Sequence, residues 1–333
     1  DGDGYLEYLT RSSVGPTHQG WKDSGDAIVH NDGSLVRTPA GTCELQGYWY
    51  AAQQLMAIMC WALGAREDAK AYWRAARELK QRFNHDWWPQ NVELPAMAMD
   101  ADKQLVHAAG SNVGHCLASG ILEEDRLPSV VGRLFQPDLF SGWGVRTLSS
   151  THAAYDPLSY HRGSVWAVEN ATIAFGLRRF GFDARALDVA KGLFDLAQLY
   201  PDLRIPEAVG GYGRVERATP SVYPRANSPQ LWNATSMPLL VHTLTGLQPV
   251  APLDLLVVDP ALPSWLPEIE IRGLRIAGAK VDLRFWRDRR GASHVKVLRR
   301  QGTIRLVRQP PLESTTVGLR DRFSALVDYV VHR

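Results

Sequence analysis

The chain has 333 residues, 45% of them apolar and 22% charged, with a formal net charge of +2. That length suits one large domain with a satellite or two domains, and the near balance of charge argues against nucleic acid or an acidic membrane as a partner. No run of about 18 apolar residues is present, so no segment reads as a membrane span.

Three cysteines, Cys43, Cys60 and Cys116, are an odd number without C-x-x-C spacing. They read as small apolar fillers in a reducing compartment, and a cytoplasmic location is expected. Eleven Trp and eleven Tyr are the one compositional signal. Aromatic faces suit sugar rings, but a large helical core uses them equally well, and composition alone favours the core. The chain opens on Asp1 without a signal-like apolar region, and further residues are expected upstream.

In chain order, Asp1 to Tyr5 imitates the start of an EF-hand loop. The twelfth position holds Ser12 where that loop needs Glu, so a turn is expected and no metal. Gly20-Trp21-Lys22-Asp23-Ser24-Gly25-Asp26 sets two carboxylates beside an indole between turn formers, a composition suited to facing a ligand. A lone loop Asp is ordinarily a turn or cap residue, so this stretch needs a partner elsewhere.

From Cys43 the pattern is helical, with Leu45, Tyr48, Trp49, Ala52, Leu55, Met56, Met59, Cys60 and Leu63 in steps of three and four and Gly64 as the stop. A second helix carries Ala69, Tyr72, Trp73, Ala76, Leu79 and Phe83, and the short connection makes an antiparallel hairpin. Leu94 to Met99 and Gln104 to Val106 read as two strands about the turn at Asp100. Ser111-Asn112-Val113-Gly114-His115 leads into a short helix, and Glu123 to Phe135 into another. Further helices are expected from about Gly163 to Phe180, from Ala184 to Leu199, and behind Ser228-Pro229 to about Leu244. After Pro249, alternation in Ile269 to Ile271, Lys280 to Trp286, His294 to Leu298 and Thr303 to Val307 predicts a small antiparallel β unit.

Successive helical hairpins with chemistry on their loops suggest a mainly α chain built as an α/α barrel. The Gly-rich loop around Pro206-Glu207-Ala208 offers the single carboxylate that would complement Asp23. One carboxylate to protonate a leaving oxygen and another to activate water is the minimum equipment for cleaving a glycosidic bond. No G-x-S-x-G elbow, Walker A loop or G-x-G-x-x-G is present, so serine hydrolysis, phosphoryl transfer and nicotinamide chemistry lose support.

Gly20-Trp21-Lys22-Asp23-Ser24, Asp156-Pro157-Leu158-Ser159-Tyr160-His161-Arg162-Gly163-Ser164-Val165-Trp166 and Ile205-Pro206-Glu207 occur in that order. Together they resemble the catalytic domain of bacterial amylo-α-1,6-glucosidases of the glycogen-debranching type, and more distantly the processing α-glucosidases and glucoamylase-like hydrolases. The resemblance covers Asp1 to about Leu247. It implies an (α/α) six-hairpin toroid, incomplete at its N-terminus, over residues 1–248, followed by a small β unit over 249–312 and an unassigned tail over 313–333. It further implies an inverting hydrolase of α-glucosidic bonds, on α-1,6 branches of glycogen-like glucans, without cofactor. Another α-glycosidase on the same barrel, of the processing or mannosylglycerate type, and a silent carbohydrate-binding protein are the alternatives.

Carried over by the resemblance, Asp23 is the general acid and Glu207 the general base, with Asp26 as the acid if the register is off. The acid must stay protonated, which asks for burial or a neighbouring anion, and Asp26 is positioned to be that anion. Tyr160, His161, Arg162 and Trp166 are expected to contact sugar, the alternative being a capped helix start with an incidental basic pair. Trp21, Asp26, Trp143, Arg146, Tyr212, Gln230 and Trp232 complete the expected substrate-binding set, Asp26 through a sugar hydroxyl. Asn112 and His115 lack further ligands at metal spacing. The expected partner is a carbohydrate, and the sequence leaves the oligomeric state open.

Overall fold

The structure is a computed structural model that describes residues 2–89, 92–308 and 321. The chain divides into two compact units, Asp1–Ser236 with Gly318–Arg333, and Met237–Val317.

The first unit is helical. Helices α1 (Cys43–Ala62) and α2 (Arg66–Asp86) pack as a hairpin, as do α5 (Ala167–Arg179) and α6 (Asp183–Gln198). Between them lie α3 (Asn112–Ser119), which packs on both α1 and α5, and α4 (Leu127–Leu134). Helix α2 follows the simplest rule: Ala69, Trp73, Ala76, Leu79 and Phe83 fall on one buried stripe, with charged residues opposite.

Helix α1 breaks that rule. Its extent matches the expected pattern, but the stripe through Tyr48, Trp49, Leu55, Met56 and Met59 is exposed, while Glu44, Gln46, Gln53 and Gln54 are buried. Its polar side chains lie on the buried side, so periodicity locates the helix while the apolar-inward rule picks the wrong face.

Three two-residue strands, β1 (Gly41–Thr42), β2 (Ala98–Met99) and β3 (Leu105–Val106), form a small antiparallel sheet at the head of α1. Near it Tyr8, Ile28, Val29, Val36, Met97, Val106 and Leu148 make a buried apolar cluster beneath the Trp21–Asp26 loop.

The helix expected behind Pro229 is two pieces, α7 (Leu231–Ala234) and α8 (Ser236–Thr245), and the unit boundary falls after Ser236, the first residue of α8. Pro229 stands before the first turn; Gln230 caps α7, its side chain accepting from the Asn233 amide at 3.0 Å.

In the second unit, β6 (Glu268–Ile276), β7 (Ala279–Arg287) and β8 (Ser293–Gln301) form the expected antiparallel meander. The fourth expected strand does not extend it. Strand β9 (Arg305–Arg308) pairs in parallel with β5 (Leu255–Val258), which also pairs with β4 (Gln248–Val250) in a second sheet. Alternation marks a strand but not its neighbour, and so it misplaces this pairing. Apart from Asp321, the expected tail lies outside the described residues. No described helix is long and apolar enough to cross a membrane.

Candidate active site

Three chain segments are stitched together at the head of α5. Val209 bridges to both Val165 and Val222, and the Glu207 amide donates to the Asn227 carbonyl at 3.0 Å. This closeness demands glycine at 211: a Cβ there would collide with the Gly163 carbonyl oxygen. The stitching carries Glu207 to Tyr160 and Asn227, neither of which is near it in sequence.

Glu207 is 5% exposed. Its Oε1 accepts from Tyr160 Oη at 2.8 Å and from Gln230 Nε2 at 3.5 Å. Its Oε2 accepts from the Asn227 amide at 3.1 Å and from Asn227 Nδ2 at 2.9 Å. Asn233 Nδ2 holds the backbone on the other side, donating to the Glu207 carbonyl at 2.9 Å. A carboxylate held only by donors is held as an acceptor, the state a general base requires. The Gln230 contact is the longest of the four, so that position yields most readily to a water.

Asp23 differs in every respect. Its side chain is exposed and, among the described residues, has no hydrogen-bond or ion-pair partner. The loop around it is fixed from both sides. Ser24 Oγ donates to Asp26 Oδ1 at 2.8 Å and contacts His161 Nδ1 at 2.9 Å. The hydroxyl has one proton and gives it to Asp26, so His161 supplies the proton of the second bond and is the Nδ1–H tautomer. Burial holds the His161 imidazole neutral, with its pKa lowered to about 3; the charge of Lys22 adds a smaller push in the same direction. Arg162 closes the ring with an ion pair to Asp26 at 3.0 Å.

These contacts revise the expected roles of several residues. His161 and Arg162 are spent on the loop that carries Asp23, and Asp26 is paired with a guanidinium rather than standing as an uncompensated anion. Trp166 is buried at the head of α5, its Nε1 donating to the Tyr160 carbonyl and to Ser164 Oγ, each at 3.0 Å. It supports the site from beneath and offers no platform. Trp143 is buried under the Arg214 guanidinium, 4.4 Å from its ring centre. Arg146 is buried too, donating to the carbonyls of Gly211 and Pro137. Both have core partners where a cavity wall was expected. Tyr212 lies under Arg217, whose guanidinium carbon is 4.1 Å from its ring centre.

Around Trp21 the rings close up into one cluster. Its centroid is 5.2 Å from Trp166, 5.3 Å from His161, 5.7 Å from His115 and 6.2 Å from Trp232. Trp232 is 47% exposed, the open edge of that cluster. Tyr160 bridges to it, 4.7 Å from Trp166 and 5.5 Å from Tyr223. Desolvation, then the bond to Glu207, raises the Tyr160 phenol well above its usual range, so it stays a donor.

Sequence reasoning passed over Asn227, Tyr223 and Glu169. Asn227 lies 20 residues from its carboxylate, and the Val209–Val222 bridge and the Glu207 amide bond to the Asn227 carbonyl bring them together, a pairing no local pattern announces. Glu169 did leave a signal, as an acid in the first turn of the largely apolar α5. No group of three or more His, Cys, Asp or Glu able to hold a metal occurs among the described residues.

A family profile described as the mannosylglycerate hydrolase MGH1-like glycoside hydrolase domain matches residues 13–210, a span that includes Asp23, Tyr160 and Glu207. No curated protein matches the sequence. Solved structures of similar fold include the GH63 mannosylglycerate hydrolase of Thermus thermophilus, at 15% identity and a TM-score of 0.51 over 61% of this chain and 45% of that one. The GH78 family rhamnosidase of Bacillus sp. GL1 aligns at 14% identity and 0.59 over 82% and 26%, respectively. The neutral trehalase of Saccharomyces cerevisiae aligns at 14% and 0.52 over 66% and 41%. At such identities the likeness is one of fold, and this chain spans less than half the length of each of these proteins.

Proposed function

The chain belongs to the MGH1-like glycoside hydrolase family, and we propose that it is an inverting glycosidase with Asp23 as general acid and Glu207 as general base. The observation that carries this reading is the contrast between the two carboxylates. Glu207 is buried and held as an acceptor by Tyr160, Asn227 and Gln230, whereas Asp23 projects free from a loop clamped by His161 and Arg162.

In this mechanism Asp23 delivers its proton to the glycosidic oxygen as the bond to the anomeric carbon breaks. Glu207 takes a proton from the water that attacks the opposite face. Inversion places the two carboxyl groups about 6.5 to 9.5 Å apart, leaving room for that water. The exposed Trp232 edge offers an apolar surface for a sugar face. On this reading the helical hairpins belong to a six-hairpin toroid, and the free cysteines suit a cytoplasmic setting.

Two substrate classes fit. The family match favours a mannosylglycerate-type α-glycoside, and the ordered W-K-D-S, Y-H-R-G-S-V-W and P-E motifs favour an α-1,6-glucoside. The test is release of free monosaccharide by the whole protein from mannosylglycerate, isomaltose-type oligosaccharides and an α-1,6-branched glucan. Activity on one class, lost in both Asp23→Asn and Glu207→Gln, supports the reading and selects the substrate. Folded wild type that releases nothing from any of them, yet binds them, replaces it with the carbohydrate-binding alternative.

A further inference from the structure

Beneath the proposed acid lies a buried ionic group that the hydrolytic reading leaves unused. Lys22, the residue before Asp23, is 1% exposed. Its Nζ donates to the Thr147 carbonyl at 2.5 Å. Burial pushes its pKa down, and the carboxylates of Glu169 and Glu44, both out of solvent with exposures of 1% and 0%, oppose that push. Each stands in the first turn of a helix, Glu44 in α1 and Glu169 in α5, where the positive end of the helix dipole favours an anion.

Glu44 Oε2 accepts from Asn112 Nδ2 at 3.0 Å, and Glu169 Oε1 meets His115 Nε2 at 3.2 Å. Among the described residues, the remaining oxygens, Glu44 Oε1 and Glu169 Oε2, have no hydrogen-bond donor. Two buried carboxylates left short of donors need a nearby cation, because an uncompensated charge in the interior is strongly unfavourable. Lys22 is the cation in place, and its backbone belongs to the loop that bears Asp23. None of these oxygens is open to a ligand, so the group acts on chemistry only through that loop.

We propose that Lys22 is a positioning residue: its buried ammonium, anchored on the Thr147 carbonyl, fixes the Trp21–Asp26 loop and with it the carboxyl of Asp23. His161 and Arg162 hold the same loop from its outer side through Ser24 and Asp26, so the acid sits between two independent anchors. Lys22 ties it inward, to the Thr147 carbonyl. The inference rests on the glycosidase reading above and names what keeps its acid in register.

Lys22→Met, Lys22→Arg and the charge-balanced double variant Lys22→Met with Glu169→Gln test it, on the whole protein with the substrate that wild type hydrolyses. A misplacement near 1 Å lowers turnover on the order of 100-fold, so folded Lys22→Met is expected to lose about that much kcat with little change in KM. Lys22→Arg, which keeps the charge but not the geometry, should fall between. In the double variant, thermal stability should return while kcat stays low, because the anchor on Thr147 is still missing. If Lys22→Met does not fold, the double variant carries the test. Wild-type kcat in either folded methionine variant, or kcat that recovers in step with stability, overturns the proposal. Inactive wild type would instead overturn the glycosidase reading, and this inference with it.

Discussion

Tyr160 Oη donates to Glu207 Oε1 at 2.8 Å across 47 residues of sequence, tying the segment that clamps the Asp23 loop to the one that carries the proposed base. A hydrogen bond to a charged acceptor contributes about 1.5 to 3 kcal/mol. Tyr160→Phe keeps the ring packing against Trp166 and Tyr223 and removes only the donor. Its kcat should fall roughly 10- to 100-fold while the melting temperature drops by only about a few degrees, read by steady-state kinetics beside a thermal melt.

Asp23 and Asp26 are separable. Replacing the general acid, Asp23→Asn, should cost about 100- to 10,000-fold in kcat. Asp26→Asn breaks the pair with Arg162 and loosens the loop, with an expected loss on the order of 10-fold. The pair is partly exposed, at 27% and 43%, so its share of stability should stay below about 1 kcal/mol. Equal kinetic losses, or a larger one at Asp26, would move the acid to Asp26.

His161 makes stability depend on pH. Its folded pKa is lowered to about 3, below the ordinary 6.5, so the unfolded chain binds a proton that the folded chain refuses. Its stabilising share is therefore complete above about pH 6.5 and is lost progressively as pH falls towards 3, for a total of about 3 to 5 kcal/mol. Urea unfolding across that range should show the decline in wild type, and His161→Gln should flatten part of it. The same slope in wild type and variant would remove His161 as its source.

Trp232 is the exposed edge of the aromatic cluster. Trp232→Ala should leave stability almost intact and raise KM roughly 2- to 10-fold, the worth of one aromatic contact of about 0.5 to 1.5 kcal/mol. An unchanged KM would place sugar binding elsewhere.

Away from the site, Arg179 Nε and Nη2 donate to the two oxygens of Asp321 at 2.5 and 2.6 Å, and both side chains are buried. Arg179→Met strands that carboxylate and should cost about 3 to 5 kcal/mol in chemical unfolding. Adding Asp321→Leu should recover much of the loss.

The helices were legible because α2 and α6 repeat apolar residues at helical spacing, and the hairpins followed from their short connections. Helix α1 shows the limit: Tyr48, Trp49 and Met59 repeat with the right period yet face outward, while its polar side chains Glu44, Gln46, Gln53 and Gln54 are buried, so the apolar-inward rule picks the wrong face. The two proposed catalytic carboxylates stood out by their motif neighbours. Lys22, Glu169 and Asn227 did not, because their importance comes from contacts made across the fold. His161 and Arg162 were legible as a polar pair at a helix entry, but only the contacts with Ser24 and Asp26 show them holding the loop. Trp143 and Arg146 looked like loop chemistry; burial turned both into core.

The most direct test of the account is the anomer first released from an α-linked substrate, followed by proton NMR before mutarotation blurs it, in wild type, Asp23→Asn and Glu207→Gln. The account predicts the β-anomer from wild type and loss of that signal in both variants. Release of the α-anomer would mean retention, and would contradict the roles assigned to Asp23 and Glu207 together.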